Sequence, residues 1–284
     1  MATRVIDDTK LNNIAVAIQA KDSGGQMTVD EMPTRIQAIP TGSTLIPKTI
    51  TQNGVYNASD DNADGYDVVE VNVPERNTLD ELYANTLEIA NIPSATSIGE
   101  GFFYNRSNLR NVIMPNVTSI GSSAFSGCSS LALTALPDGV TSIDYHAFQG
   151  CSSLALTALP DGVTSIGMAA FQSCSSLALT ALPDGVTSIG SSAFQSCSSL
   201  ALIVLPDGVT SIGGNAFRQC KMLYSIDLTA FTDPQAIPTL ANANAFYDIP
   251  STAQFIVKNQ EMYDVFTTAT NWSTHASKFV IEGA

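Results

Sequence analysis

Five cysteines stand at a single spacing: Cys128, Cys151, Cys174, Cys197 and Cys220, each 23 residues after the last. Thiols can pair, ligate a metal or act as nucleophiles, and each of these needs different neighbours. If the spacing is one turn of a stacked coil, adjacent Cα atoms fall about 5 Å apart, inside the window for a disulfide. Parallel Cβ directions and an odd count oppose bonding, and no His accompanies the row to complete a metal site. A buried free-thiol ladder is the favoured reading. Carboxylates recur as well. Asp138, Asp161, Asp184 and Asp207 each occupy a Pro-Asp-Gly, where turn chemistry explains them before any cation is needed. Asp60-x-Asn62-x-Asp64-Gly65 matches the front half of a calcium loop, but the closing bidentate Glu belongs at Val71 and Glu70 lies one place off. An acidic hairpin loop is favoured there, with calcium as the alternative. His146 and His275 are far apart in sequence, and neither has a spacing that pairs it with Ser, Cys or Asp. With no phosphate loop and no paired carboxylates in view, the expectation is no catalytic residue, no metal, no cofactor and no enzyme.

The element that positions the cysteines is a repeat. From Cys128 to Gln219 the sentence CSSLALTALPDGVTSIGxxAFQS runs four times, three copies nearly letter-perfect. A fixed period of this length is the signature of a solenoid. Looser copies precede it at Pro93–Phe103 and Pro115–Phe125. Ile98, Ile120, Ile143, Ile166, Ile189 and Ile212 recur in register, as do Phe103, Phe125, Phe148, Phe171, Phe194 and Phe217. One coil cannot bury an Ile and a Phe alone, whereas coils stacked at about 4.8 Å bury both as ladders. Pro-Asp-Gly marks one corner, and the Gly after the Ile marks a second, with Asp144 the exception. Two short extended segments per coil are expected, in a right-handed, mainly β solenoid.

The order C-x-x-L-x-x-I-x-L-P-x-x-V-x-x-I-G-x-x-A-F resembles the BspA-type bacterial leucine-rich repeats, over roughly Leu87 to Val257. The resemblance implies a curved solenoid used for adhesion or protein recognition. One position departs from it. The inner Ile, three residues after the Leu, is Thr134, Thr157 and Thr180 in the central copies and returns as Ile203 in the fourth.

Charge narrows the partners. There are 26 acidic and 12 basic residues, a net charge of −14. No Lys or Arg lies between Asn111 and Ala216, so a polyanion would meet no counter-charge and nucleic acid is not expected as a partner. No run of eighteen apolar residues offers a membrane span. The stretch MATRVIDDTK lacks an apolar h-region, so no Sec signal peptide is expected.

In chain order, residues 1–42 read as a helical docking or assembly segment of two short amphipathic helices, broken at Ser23-Gly24-Gly25. Residues 43–76 read as a small β module with a hairpin at Asn53-Gly54. Residues 77–230 form the solenoid with an N-cap, helical or irregular over Asn77–Ile89. Residues 231–284 hold an irregular last repeat and a C-cap, with a strand at Thr252–Val257 and an amphipathic helix over Asn259–Phe279. Asp8 to Lys21 with Met27 to Pro33, followed by the segment from Lys48 to Pro74, is similar to the opening modules of structural proteins in phages and prophages of Gram-positive bacteria.

Two surfaces are candidates for recognition. If Thr134 and Leu136 point inward, Leu133, Leu156, Leu179 and Leu202 point outward as an exposed apolar stripe. Asn111 and Ser225 at the same position in flanking coils favour this, while a one-residue slip would bury the leucines instead. The near-identical copies also differ mainly just before Ala-Phe, at Asp144-Tyr145-His146 and Gly167-Met168-Ala169 among others. Neutral drift explains that as well, yet Tyr145, His146 and Met168 are the best contact candidates. The expected function is non-enzymatic: a phage virion fibre or host-receptor-binding protein, likewise a homo-oligomer, contacting other virion proteins through residues 1–76 and a host surface protein or glycan through the solenoid. The alternative is a BspA-like cell-surface adhesin.

Overall fold

The computed structural model describes residues 47–50, 68–71, 89–92 and 95–283. The helical opening, the Asn53-Gly54 hairpin, the Asp60–Asp64 loop and residues 77–88 lie outside the described residues. Within them, each repeat makes one coil. Its Ser-Ile pair is a two-residue strand, from Ser97–Ile98 through Ser119–Ile120, Ser142–Ile143, Ser165–Ile166, Ser188–Ile189 and Ser211–Ile212. Thr239–Leu240 completes a seven-stranded parallel sheet in which each Ile sits on the next. Beside it the hydroxyls of Thr118, Thr141, Thr187 and Thr210 each donate to the Thr carbonyl one coil back.

The interior follows from identity at each level. Phe103, Phe125, Phe148, Phe171, Phe194, Phe217 and Phe246 stack nearly parallel, with centroids 5.1 to 5.6 Å apart. Such offset stacking adds to the apolar burial of each ring. The Ile, Val, Leu and Cys rows are buried with them. All five cysteines are free, and each thiol donates to a Phe carbonyl of the preceding coil, at 2.9 to 3.1 Å. Burial pushes Cys128 and Cys220 up to about 12 and the three between them well above the ordinary thiol value. These thiols are structural donors, neither nucleophiles nor a disulfide ladder.

The Gly after each Ile is required by close approach. A Cβ at Gly167, Gly190 or Gly213 would lie no more than 2.5 Å from the backbone of the coil before it. Asp144 fills the same place as part of a small network: one carboxylate oxygen accepts from the Tyr145 amide and the other from the Ser122 hydroxyl.

The second face corrects two expectations. Strands Pro47–Ile50, Val68–Val71, Ile89–Asn91 and Asn111–Ile113 form one parallel sheet, and Leu202–Val204, Ser225–Asp227, Gln254–Val257 and Phe279–Ile281 form another. The three coils between them have no strand on this face. There Leu133, Leu156 and Leu179 are 7%, 0% and 1% exposed, while Thr134, Thr157 and Thr180 are exposed. The leucines do not form an outward stripe, because the register has slipped by one residue. Burying a Leu rather than a Thr gains about 2 kcal/mol or more, whereas a ladder hydrogen bond exchanged for water costs about 1 kcal/mol. Burial wins, and the main-chain bonds linking these segments to the coil before fall to Ala132 to Arg110, Ala155 to Leu133 and Ala178 to Leu156. In the fourth coil Leu202 and Ile203 are both apolar, so burial is nearly neutral. Ile203 goes inside, Leu202 is left half-buried, and the strand forms.

The two ends close in different ways. Val68–Val71 pairs in parallel with Ile89–Asn91, so that strand edge is covered by a further strand. At the other end the expected single helix is split. A helix over Gln260–Thr268, N-capped by Asn259, gives way at Asn271, whose φ is 65°, to a 3-10 segment over Trp272–Lys278 and then the strand Phe279–Ile281. Asn271 and Trp272 donate to the carbonyls of Leu240 and Pro238, closing the edge of the seven-stranded sheet.

Candidate binding surface

The corner before Ala-Phe is built on an unfavourable backbone. Ser123, His146, Ala169, Ser192 and Asn215 all lie at φ 54° to 60°, a left-handed conformation that costs a non-glycine residue about 1 kcal/mol or more. The turn persists because each residue is pinned between coils: the His146 amide donates to the Met168 carbonyl and the Ala169 amide to the Ser191 carbonyl. Side chains beside such a corner project outward. Tyr145 is 56% and Met168 44% exposed, at the same position of consecutive coils, so the structure brings these two candidates together.

His146 is half-buried and turned along the corner. Its Nδ1 lies 3.1 Å from Gln149 Oε1 and, facing an amide oxygen, donates to it. Gln149 then donates to Gln172, and Gln172 to Gln195. The main-chain amides of Gln149 and Gln172 return to the His146 and Ala169 carbonyls, so the ladder lies against the Tyr145–Met168 corner. The reading by spacing missed this row. Its signal was the Gln that follows Ala-Phe in three consecutive copies. Leu133, Leu156 and Leu179 belong to the interior of another face and Leu202 to its margin, so none joins the corner.

A second exposed group lies toward the C-cap. Met222, Tyr224 and Tyr247 are at least half exposed. The Arg218 guanidinium stands 5.4 Å over the Tyr247 ring, and Lys221 pairs with Asp248. That Lys221 bond holds the Asp248 carboxyl below its ordinary value. Asp138, Asp161, Asp184 and Asp207 are exposed at the other corner. Among the described residues no three His, Cys, Asp or Glu side chains gather as a metal site, and no helix is long and apolar enough to cross a membrane.

The coil stack defines a leucine-rich-repeat solenoid. Residues 96–224 match, in six copies, the family described as BspA type Leucine rich repeat region. The match does not reach residues 8–33 or 48–74. Comparison with curated proteins finds no match. Among solved structures, a leucine-rich repeat protein of T. pallidum is 31% identical with a TM-score of 0.48, covering 62% of this chain and 78% of that one. One from Bacteroides ovatus is 24% identical with a TM-score of 0.52, covering 76% and 58%. A leucine rich cell surface protein of Faecalibacterium prausnitzii is 26% identical with a TM-score of 0.42, covering 75% and 69%.

Proposed function

We propose that this chain is a non-catalytic recognition protein, a surface-displayed adhesin of the BspA-like type, whose solenoid presents a corner of exposed side chains to its partner. The observation that carries the reading is the contrast within residues 96–224. In the near-identical copies from Cys128 to Gln219 most inward rows repeat unchanged, while the differences fall mainly at the exposed corner around Tyr145 and Met168. A rigid stack with a variable edge is the division of labour expected of a binding solenoid. The partner class is a surface protein or glycan, and residues 1–42 are the segment proposed to self-associate.

Immunogold electron microscopy on the producing culture, with antibody raised against residues 78–284, tests the location. Gold on the cell envelope is the expected result. Gold on phage particles with bare envelopes would overturn it in favour of a virion fibre, the reading that the resemblance of residues 8–33 and 48–74 to phage structural proteins supports.

A further inference from the structure

We infer that the corner formed by Tyr145, His146, Gln149, Met168, Gln172 and Gln195 binds an uncharged oligosaccharide, a partner class that deepens, and rests on, the adhesion reading. The side-chain amides of this row have hydrogen-bonding capacity left to offer. A Gln carries two N–H donors and two acceptor lone pairs. Gln172 uses one donor toward Gln195 and one acceptor from Gln149, and Gln149 accepts from His146 and donates to Gln172. Each of these amides therefore keeps one donor and one acceptor, side by side and half exposed. Adjacent sugar hydroxyls, each both donor and acceptor, complement such a pair. The amides are also held in place before binding, so little side-chain freedom is lost on complex formation.

On the same corner stand two exposed apolar side chains. The exposed Tyr145 ring and Met168 thioether suit the C–H face of a pyranose, as aromatic rings with a polar tip do where one side of a ligand is apolar and the other wet. Charge selects further. Asn111 to Ala216 holds no Lys or Arg and the chain carries −14, so sialylated or sulfated chains are repelled. The one carboxylate at this corner, Asp144, is held in place by the Ser122 hydroxyl and the Tyr145 amide, and its charge adds to the repulsion of anionic chains.

The test uses the full chain on an array of uncharged oligosaccharides with sialylated and sulfated counterparts, followed by titration calorimetry with the strongest uncharged hit. Retention of uncharged glycans and not of the anionic set is expected. Tyr145→Ala should weaken Kd by about tenfold or more, and Gln172→Ala by about fivefold. Tyr145→Phe, which keeps the ring, should stay within about twofold. Met222→Ala, exposed elsewhere, should change nothing. An array without uncharged hits, or hits indifferent to both Tyr145→Ala and Gln172→Ala, overturns the inference. If the protein still binds whole cells and protease treatment of those cells abolishes it, the adhesin reading stands and the partner is a protein.

Discussion

The three central coils and the coils flanking them share the Phe ladder and, apart from Arg106 and Leu240, the Cys and Ile ladders, yet they build different backbones on one face. Where the sequence reads Leu-Thr, as at Leu156-Thr157, the Leu is inside and no strand forms. Where it reads Leu202-Ile203 or Ser225-Ile226, the Ile is inside and a parallel ladder runs on to Phe279–Ile281. Core volume is kept in both regions, and hydrogen-bonded order is kept in only one. In a stacked fold, therefore, secondary structure is the flexible quantity and burial the one that is conserved from coil to coil.

The largest test asks whether the shared ladders are equivalent. Phe171→Ala in the centre and Phe217→Ala at its margin should each cost about 3–5 kcal/mol in urea unfolding. Unequal costs would show that the register difference reaches the ring stack. Next, Leu156→Thr should cost about 2–4 kcal/mol because nothing apolar replaces it, while Leu202→Thr should cost less than about 1.5 kcal/mol because Ile203 already fills the interior. Similar losses at both sites would break the comparison. Thr180→Ile should convert the third central coil. The introduced isoleucine enters the interior, Leu179 leaves it, and the Ala181–Val204 bridge grows into a strand. Hydrogen exchange over residues 177–182 should slow about tenfold, with overall stability changed by about 1 kcal/mol or less. Unchanged exchange would leave the Leu register fixed by something other than the inner side chain.

Smaller effects come from the corner and the cap. Ser192→Gly relieves a φ of 58° at a half-buried side chain and should raise stability by about 0.5 kcal/mol, read as a higher urea midpoint. At the C-cap, burial lowers the His275 pKa, with Lys278 adding to the effect and a bond to the Ala243 backbone opposing it. The ring packs on Phe246 and Phe255, and its Nε2 is buried without a partner. The unfolded chain thus takes up the proton more readily than the folded one. The contribution of neutral His275 is complete above the unfolded value near 6.5 and is lost as pH falls below it. Thermal melts between pH 7.5 and 5 should show a shallow decline, which His275→Gln removes.

Most of the fold was legible because the same residue returns at each level. Ile98 to Ile212 and Phe103 to Phe217 announce ladders whatever the backbone between them does. The register of the central coils was not legible in this way. Leu133 and Thr134 are adjacent, either placement satisfies the period, and the outcome turns on the balance of burial against ladder bonds. The corner was half legible. Variation marked Tyr145, His146 and Met168, but Ser, His and Ala carry no glycine-like sign of a left-handed turn, and the Gln row looked like ordinary polar surface. The C-cap helix was overdrawn because the stripe from Met262 to Trp272 continues past Asn271, where the backbone turns.

The three central copies are nearly identical. They have the same inner residues, the same slipped register and the same spacing, so each presents its successor with almost the surface it received. A whole copy added or removed between Cys128 and Cys197 leaves both ends meeting familiar neighbours. The middle of the molecule then behaves as a ruler graduated in single coils of about 4.8 Å. Gene-level duplication can set how far the C-terminal end stands from the N-terminal one without redesigning either.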